Sequence, residues 1–236
     1  MKNTIFQVSL LQALVLGHYY GAIPVGELKA HGDCGLGTFD GLNGELVLLD
    51  GEVLRAAGDG RIERVGDEET VPFATAAFLD PGVRRGVPGF ASFAALQARV
   101  DGEADPNRPY LIRLDGHFNR IRVRSVLAQR PPYRPMPQVM ETDQTFFTYE
   151  NLRGTLVGFR MPAYMGKLNA AGWHLHFLSD DRKAGGHVLE LDAGEGTLYL
   201  CPKSGIEVRL PETAAFSKLD LAADLSEAVE KVEKGR

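Results

Sequence analysis

The sequence predicts an α+β protein in which two packed, mainly-β lobes with mixed or antiparallel sheets carry a few helices. Short apolar runs separated by tight turns dominate the chain, and helical spacing of apolar residues occurs near both ends. With 236 residues, 44% of them hydrophobic, the chain can bury a substantial core. We therefore expect a single unit over residues 1–236, with an N-terminal sheet lobe at 1–105 and a C-terminal lobe at 106–236.

Helical spacing of apolar residues predicts a buried helix near the N-terminus. The residues that would share its buried face are Phe6, Leu10, Leu11, Leu14 and Val15, and Gly17 would end the helix. Polar residues interrupt this apolar segment, no basic cluster precedes it, and no small-residue cleavage site follows it. We therefore expect neither a signal peptide nor a membrane span, and we expect the protein to be cytoplasmic.

Tight turns divide the next part of the chain into hairpins. Asn43-Gly44 and Asp50-Gly51 are both candidates for type I′ turns, which need positive φ at their two central residues. Beyond these hairpins we expect a strand at 70–79, a helix at 91–100, and a seam between the lobes at the polar, proline-containing stretch 101–109.

Strands dominate the second half of the chain, and one helix follows them. The pair Asp115-Gly116 predicts a turn that divides residues 110–126 into two strands. Helical spacing from about Leu221 onward predicts a C-terminal helix that Gly235 would cap. The remaining expected strands are 153–162, 172–179, 187–194, 196–202 and 205–211.

The balance of charges and the number of cysteines exclude several classes of protein. With 31 acidic and 26 basic residues and a net charge of -5, the chain has no general attraction for nucleic acid or for an anionic membrane. Cys34 and Cys201 are too few for a disulfide framework and do not form a close-spaced metal pair, so we expect two buried thiols. A small or neutral partner is compatible with this composition.

Three of the six histidines lie in the short segment GWHLHFLSDDRKAGGHVLE. On a strand, His174 and His176 project to the same side of the sheet. If the loop SDDRKAGG closes an antiparallel hairpin, Leu178 lies opposite His187, and the third histidine shares the face of the other two, diagonal to His176. Three neutral imidazoles with an open fourth position are typical of a catalytic zinc site, although paired histidines on a strand face can also be merely packed or solvated.

The histidine segment resembles the zinc-binding segment of bacterial acetolactate decarboxylases. Further blocks resemble that family in the same order along nearly the whole chain: FQVSLLQALVLGHYYG, GDCGLGTFDGLNGELVLLDG, TVPFATAAF, RLDGHFNRIRVRSV and LRGTLVGFRMP. The resemblance implies two sheet-based lobes with the zinc between them, and a homodimer. It also implies that 2-acetolactate (2-hydroxy-2-methyl-3-oxobutanoate) is converted to (R)-acetoin and carbon dioxide, in the acetoin and butanediol pathway.

The resemblance further implies which residues form the active site. It assigns Zn²⁺ to His174, His176 and His187, and catalysis to Glu45 in NGEL, Arg124 in RVRSV and Glu233 near the C-terminus. It also assigns Thr38 in GTF to substrate binding, together with Arg124. Because the C-terminal helix offers two glutamates, Glu230 stays an alternative to Glu233. Without the resemblance, each of the four residues other than histidine has an ordinary structural role.

The chemistry of decarboxylation suits these residue types. The electrons of the breaking carbon–carbon bond move onto the neighbouring ketone, where zinc can accept them. Arg124 is suited to orient a carboxylate or to share the developing charge, and Glu45 and Glu233 are candidates for proton transfer.

The histidine segment is also compatible with two different kinds of protein. The three histidines suit a metal-dependent hydrolase or a cupin-like oxygenase acting on a small keto or hydroxy acid, although no carboxylate follows them at a regular offset. A binding module with a structural zinc is the second alternative, although no further Cys or His closes the site at short range.

Overall fold

The computed structural model describes residues 3–234, and most of these residues lie in strands. The strands are β1 Thr4–Val8, β2 Ile23–Pro24, β3 Cys34–Thr38, β4 Glu45–Leu49, β5 Glu52–Ala56, β6 Ile62–Arg64, β7 Thr70–Val71, β8 Phe73–Ala77, β9 Arg84–Ser92, β10 Tyr110–Val126, β11 Gln144–Met161, β12 Gly172–Ser179, β13 Gly185–Pro202 and β14 Gly205–Arg209. The α-helices are α1 Leu11–Val15, α2 Val25–Ala30, α3 Phe93–Asp101, α4 Met136–Thr142 and α5 Ser226–Lys234.

Two large sheets organise these strands. The first sheet has the order β14-β1-β8-β3-β4-β5-β6, and it is mixed because β14 runs parallel to β1. In the second sheet, β10, β11, β12 and β13 pair in turn, and β13 pairs back with β10, so these four strands close into a barrel that β9 extends at β13. Strands β2 and β7 form a small separate ribbon. This architecture confirms the predicted α+β class.

The first sheet packs one face on helix α2 and the other on the barrel. Along β4, Leu46 and Leu48 belong to the apolar cluster that contains Val25 and Leu28 of α2. The alternate residues Val47 and Leu49 belong instead to the cluster that contains Leu111 and Val157 of the barrel. Both faces of β4 are therefore covered, which explains why its sequence is continuously apolar.

The barrel has its own apolar interior. Phe118 and Phe177 meet there edge to face with ring centroids 5.7 Å apart, and Leu96 and Val100 of α3 belong to the same cluster. Because Leu175 and Phe177 point into this interior, the alternate residues of β12 point outward, toward the first sheet. The histidines at positions 174 and 176 therefore lie in the space between the sheet and the barrel.

Helices α1, α4 and α5 pack on one another at one end of this space. Their shared apolar cluster includes Leu11, Leu14, Val139, Val229 and Val232. Among the described residues, no helix is long and apolar enough to cross a membrane. The three helices thus form a third layer over the region where the first sheet and the barrel meet.

The predicted N-terminal helix was wrong in its first half. Residues Thr4–Val8 form β1, which lies between β8 and β14 in the first sheet, so backbone pairing on both edges outweighs the helical spacing of the side chains. Ser9, with φ 61°, breaks the strand, and only Leu11–Val15 is helical. Gly17 has φ 94° and ends this helix as predicted.

One of the two predicted type I′ turns is present. Asp50 and Gly51 have φ of 52° and 75°, which confirms the turn between β4 and β5. Asn43 has φ -82°, so Asn43-Gly44 is not such a turn. The connection from β3 to β4 instead contains a short 3-10 helix, Asp40–Leu42.

The predicted turn at Asp115-Gly116 is wrong, because residues 110–126 form one continuous strand. Gly116 lies opposite Gly154 on β11 and Gly196 on β13. A Cβ on Gly116 would lie 2.2 Å from the carbonyl oxygen of Glu195, so this glycine allows neighbouring backbones to approach closely rather than to turn. Residues 187–194 and 196–202, predicted as two strands, are likewise parts of the single strand β13.

The remaining predicted elements agree with the structure except at their limits. Helix α3 and strands β8, β11, β12 and β14 lie at the expected places. The C-terminal helix begins at Ser226 rather than near Leu221, after Asp224 accepts hydrogen bonds from the backbone and hydroxyl of Ser226. Its predicted cap, Gly235, lies outside the described residues.

The two sheets exchange strands across the predicted lobe boundary at residues 105 and 106. Strand β9 precedes this boundary and joins the barrel, whereas β14 follows it and joins the first sheet. The sheets therefore do not coincide with lobes 1–105 and 106–236, and the division into those lobes stays a prediction.

Gly158 tests the close approach of β11 to β12 within the barrel, at a position that also faces Leu36 of the first sheet. A Cβ at this position would lie 2.1 Å from the carbonyl oxygen of His174 and 2.9 Å from Cδ2 of Leu36. We expect Gly158→Ala to lower the free energy of unfolding by about 1–3 kcal/mol because the facing backbone must shift. Thermal unfolding would show this as a fall in Tm of roughly 2–4 °C per kcal/mol.

Gly86→Ala is the matched control for this substitution. A Cβ on Gly86 of β9 would have no neighbour within 4 Å, so this variant should unfold at nearly the parent temperature. Equal Tm values for the two variants would contradict the close approach at Gly158.

Candidate metal centre and active site

The three histidines of the short segment converge on one buried point. His174 and His176 project from β12 and His187 from β13, each with no more than 6% of its surface exposed. One ring nitrogen from each lies within 4.8 Å of the other two. The arrangement matches the size of a shared metal site.

The pairing of the hairpin differs by two residues from the predicted register. His176 lies directly opposite His187, and Leu178 lies opposite Gly185. The loop is therefore shorter than predicted, and its backbone closes where the amide of Ser179 donates to the carbonyl oxygen of Ala184 at 2.8 Å. Since directly opposed residues share a face, the prediction that the three histidines project together still holds.

The glycine before His187 lets β13 lie close to β10. Gly186 has φ 142°, and a Cβ there would lie 2.5 Å from the carbonyl oxygen of Arg124. The same stretch pairs Arg124 directly with His187. Glycine at this position therefore places the arginine-bearing strand beside the histidines.

Burial keeps the three imidazoles neutral. Loss of solvation lowers the pKa of His174 to about 3, and it lowers the pKa of His176 and of His187 well below their usual range; the nearby Arg124 acts in the same direction in each case. Neutral imidazoles are the form that binds metal ions. At neutral pH no proton would have to leave these rings before a metal binds.

Two backbone carbonyls fix which nitrogen of two of the rings is free. His176 Nδ1 lies 2.7 Å from the carbonyl oxygen of Leu46, and His187 Nε2 lies 3.0 Å from that of Glu233. Because a carbonyl oxygen only accepts, these nitrogens carry the protons, and Nε2 of His176 and Nδ1 of His187 keep their lone pairs.

The free nitrogens fit a metal ion. His174 Nδ1 and His176 Nε2 are buried and have no hydrogen-bond partner. A buried polar atom without a partner is costly, and a metal ion would satisfy both of these atoms at once. Three imidazoles form a donor set that zinc accepts, with a further position left for another ligand.

Two carboxyl groups border the histidines. Glu45 Oε2 on β4 lies 3.5 Å from His176 Nε2, and Glu233 Oε2 on α5 lies 3.4 Å from His174 Nδ1. Burial raises the pKa of each to about 7, although Arg124 opposes the shift in both; in Glu45 the neighbouring Glu233 raises the pKa further. Each carboxyl group can therefore hold or release a proton near neutral pH.

Arg124 is the buried cation of the site, with 1% of its surface exposed. Its Nη1 donates to the carbonyl oxygen of Val232 and to Sδ of Met140, at 3.6 Å from the sulfur, while its Nε has no hydrogen-bond partner. Arg122, by contrast, pairs with Glu190 on the surface at 2.7 Å. Two residues apart on a regular strand, Arg122 and Arg124 would share a face, but the register with β13 shifts between positions 122 and 123.

Thr38 completes the predicted set. It lies directly opposite Glu45 in the pairing of β3 with β4, and its hydroxyl donates to the carbonyl oxygen of Gly44 at 2.7 Å. Thr38 therefore holds the turn that precedes Glu45 while its side chain lines the same cavity.

All seven predicted site residues line one small cavity of about 20 Å³. This volume accommodates about one water molecule. Apolar side chains of Leu11, Leu14, Phe73 and Met136 form the rest of its wall, and sequence reasoning assigned them no part in the site. The helical spacing of Leu11 and Leu14 was visible, but nothing in the sequence indicated what their buried face would cover.

The structure distinguishes the two C-terminal glutamates. Glu233 faces the histidines, whereas Glu230 is exposed and lines a separate outer cleft. Together with Glu45, Glu233 brings a carboxyl group to the histidines from a distant part of the chain. The sequence has no carboxylate at a regular offset from the histidines, and this counted against a hydrolase or an oxygenase. In the folded protein two carboxyl groups do lie beside the histidines, so that argument applies to the local sequence alone.

Comparison with known proteins assigns the family. A family model described as alpha-acetolactate decarboxylase matches residues 5–223. The chain belongs to this family. The match ends before α5, so it does not include Glu233.

Full-length relatives and a solved structure agree with this family membership. An alpha-acetolactate decarboxylase of Methanosarcina mazei is 40% identical, covering 99% of this chain and 81% of that protein, and one of Raoultella terrigena is 37% identical, covering 98% and 90%. The crystal structure of alpha-acetolactate decarboxylase from Bacillus subtilis strain 168 matches with a TM-score of 0.94 at 34% identity, over 98% of this chain and 99% of that one.

Replacing one histidine tests the metal centre in this family member. If His176 is a ligand, His176→Ala should weaken zinc binding by more than the roughly 10–100-fold that follows loss of a ligand's hydrogen-bond partner. Metal analysis after dialysis and competition with a chromophoric chelator would measure the change. His117→Ala is the control, because His117 bonds Asn151 at the surface. Parent-like zinc affinity in His176→Ala would contradict the assignment.

Proposed function

We propose that this protein is a zinc-dependent decarboxylase that converts 2-acetolactate to (R)-acetoin and carbon dioxide, the reaction of the acetoin and butanediol pathway. The observation that carries the proposal is the buried set of three neutral histidines, two protonatable carboxyl groups and one arginine, in a chain of the alpha-acetolactate decarboxylase family. Metal, electrostatic and proton-transfer groups for a decarboxylation are thus available in one cavity.

The histidines would hold the metal, His174 through Nδ1, His176 through Nε2 and His187 through Nδ1. When bound, zinc supplies a Lewis acid that can accept electron density at the ketone oxygen of the substrate. The carbonyl oxygens of Leu46 and Glu233 fix the orientation of two of the rings. No organic cofactor is required by this scheme.

Arg124 is proposed to bind the substrate. A guanidinium group matches a planar carboxylate with paired donors, and its charge also opposes the negative charge that remains on the substrate carbons when carbon dioxide leaves. Its Nε lacks a partner inside the protein and is available for such a contact. The hydroxyl of Thr38, which already donates to Gly44, could accept a hydrogen bond from the 2-hydroxyl group of the substrate.

Glu45 and Glu233 are proposed to handle protons. Loss of carbon dioxide leaves a carbon that must take a proton from one side if a single enantiomer is to form. The two carboxyl groups project from opposite walls, one from β4 and one from α5. With pKa values raised to about 7, one can donate a proton while the other accepts one from the substrate hydroxyl.

Two further parts of the proposal concern the state of the protein in the cell. We propose a homodimer in the cytoplasm, with no nucleic acid or membrane partner. The resemblance to the family supports the dimer. The net charge of -5 supports the lack of attraction to nucleic acid and to anionic membranes.

The first experiment is a direct assay of the reaction. Purified protein is incubated with fresh racemic 2-acetolactate, and acetoin and carbon dioxide are followed before chelation, after chelation and after zinc is restored, with the uncatalysed decay subtracted. We expect rapid release of one acetoin enantiomer that chelation abolishes and zinc restores. A folded, zinc-loaded sample that releases no acetoin above background would overturn the proposed substrate.

Glu45→Gln separates proton transfer from metal binding. Because the amide keeps the shape of the side chain but cannot carry an acidic proton, we expect kcat to fall by about 10²–10⁴-fold while zinc stays bound. Steady-state kinetics and metal analysis on the same sample would measure both. Glu68→Gln, an exposed change outside the cavity, should match the parent. Retention of full turnover by Glu45→Gln would remove Glu45 from the scheme.

A further inference from the structure

The metal-binding cavity is too small for the molecule that must enter it. Its volume of about 20 Å³ accommodates about one water molecule. A hydroxy-keto acid with a carboxylate is several times larger than water. The cavity must therefore widen before a substrate of this size can occupy it, which requires part of the wall to move.

The last turn of α5 closes one side of this cavity. The carbonyl oxygen of Val232 accepts from Arg124, and the carbonyl oxygen of Glu233 accepts from His187. The Glu233 carboxyl group lies beside His174. This turn is therefore attached directly to the groups that would bind metal and substrate.

A larger cleft lies on the other side of the same turn. It has a volume of about 380 Å³ and runs between α5 and the segment that precedes β12. Ala163, Gly166, Ala171, Trp173 and Val229 line it together with Glu233. Of the described residues that line the two spaces, Glu233 is the one they share, so this side chain is the partition between them.

Across the outer cleft from α5, the segment that precedes β12 forms the opposite wall, and this wall is fixed to the first sheet. Asn169 Nδ2 donates to Gln7 Oε1 at 2.9 Å and to Thr75 Oγ1 at 3.0 Å, and Gln7 Nε2 donates to the carbonyl oxygen of Leu168 at 2.9 Å. Asn169, Gln7 and Thr75 are fully or almost fully buried. Moving this wall would break several buried hydrogen bonds together, at a cost for each group left without a partner.

Helix α5 is held more weakly. Val229 and Val232 anchor it in the apolar cluster of the helical layer, and its ion pair between Lys231 and Glu141, at 3.2 Å, is more than half exposed at both ends. Exposed ion pairs of this kind contribute little to stability. A helix of nine residues is also too short to be stable without its packing. Moving α5 would break its hydrogen bonds from Arg124 and His187, but water that enters the opened cavity can replace them. Of the two walls, α5 is therefore the one that moves at lower cost.

We propose that the outer cleft is the entrance to the metal site and that the last turn of α5 is its gate. In the closed state Glu233 separates the cleft from the cavity; in the open state this turn moves away from Arg124 and His187, and the two spaces join. The ligand class that uses the entrance is a small hydroxy-keto carboxylate. This identity and the width that the entrance needs both rest on the proposed function, whereas the positions of the cleft and of Glu233 do not.

Plugging the outer cleft tests the route. Ala171→Cys places a thiol in the cleft at an exposed position, while the native Cys34 and Cys201 are buried and should not react. The zinc-loaded variant is labelled with fluorescein maleimide, or with a reagent that adds only a methylthio group, and labelling is verified by mass spectrometry. The rate at which EDTA removes zinc is then measured together with turnover of 2-acetolactate.

We expect the fluorescein label to slow zinc removal by about tenfold or more and to reduce turnover in parallel, because both need the gate region to be accessible. The methylthio label at the same position should have little effect. Glu207→Cys, on the edge strand β14, is the control for the fluorescein group itself. Zinc removal from fluorescein-labelled Ala171→Cys at the unlabelled rate would overturn the route.

Loosening the gate gives an independent measurement. Val232→Ala removes two methyl groups from the contact of α5 with the helical layer but keeps the carbonyl oxygen that Arg124 contacts. We expect EDTA to remove zinc about tenfold faster from this variant, since a partly emptied core contact favours the open state. An unchanged removal rate would argue against movement of α5. If the rates of zinc removal change as expected but the protein does not turn over 2-acetolactate, the route is supported and the proposed substrate is rejected.

Discussion

The packing of the barrel against the first sheet is the constraint on which the site depends. It buries the outward face of β12, so that His174 and His176 lie away from water beside β4 instead of on a surface. The hydrogen bond from His176 to the carbonyl oxygen of Leu46 crosses this interface at 2.7 Å. A shift of the barrel on the sheet would therefore change the orientation of the imidazole and its distance from Glu45 together.

Burial sets the chemistry of the site as much as the identity of its residues does. Removed from water, the histidines stay neutral and the pKa values of the two carboxyl groups rise to about 7. The positive charge of Arg124 stabilises the ionised form of both carboxyl groups and so limits this rise. A buried cation without such compensation would be costly. The arginine and the two glutamates are therefore best understood as one electrostatic unit around the histidines.

The C-terminal helix has two functions that need opposite properties. It supplies Glu233 and the two carbonyl oxygens that contact Arg124 and His187, which requires an ordered closed state. As the proposed gate, it also separates the cavity from the outer cleft and must move away for the two spaces to join. Modest apolar anchoring by Val229 and Val232, without pairing to a sheet, is compatible with both requirements.

The sequence by itself determined the features that depend on neighbouring residues. The two-residue spacing of His174 and His176 placed them on one side of a strand, and Asp50-Gly51 specified a turn, because strand alternation and positive φ are local properties. The position of Glu45 was also indicated locally. It alternates with Val47 and Leu49 along β4, so it lies on the side of the strand that faces the barrel. The family resemblance, rather than this alternation, identified Glu45 as a candidate catalytic residue.

Tertiary structure alone decided the rest, because it depends on contacts between distant segments. The local sequence at Gly116 predicts a turn, yet the close approach of three strands makes this glycine part of the continuous strand β10. Helical spacing at the N-terminus gave way to pairing of β1 on both edges. Glu230 and Glu233 are equivalent in the sequence of a short helix; only the packing of α5 over the barrel turns one toward His174 and leaves the other in the outer cleft.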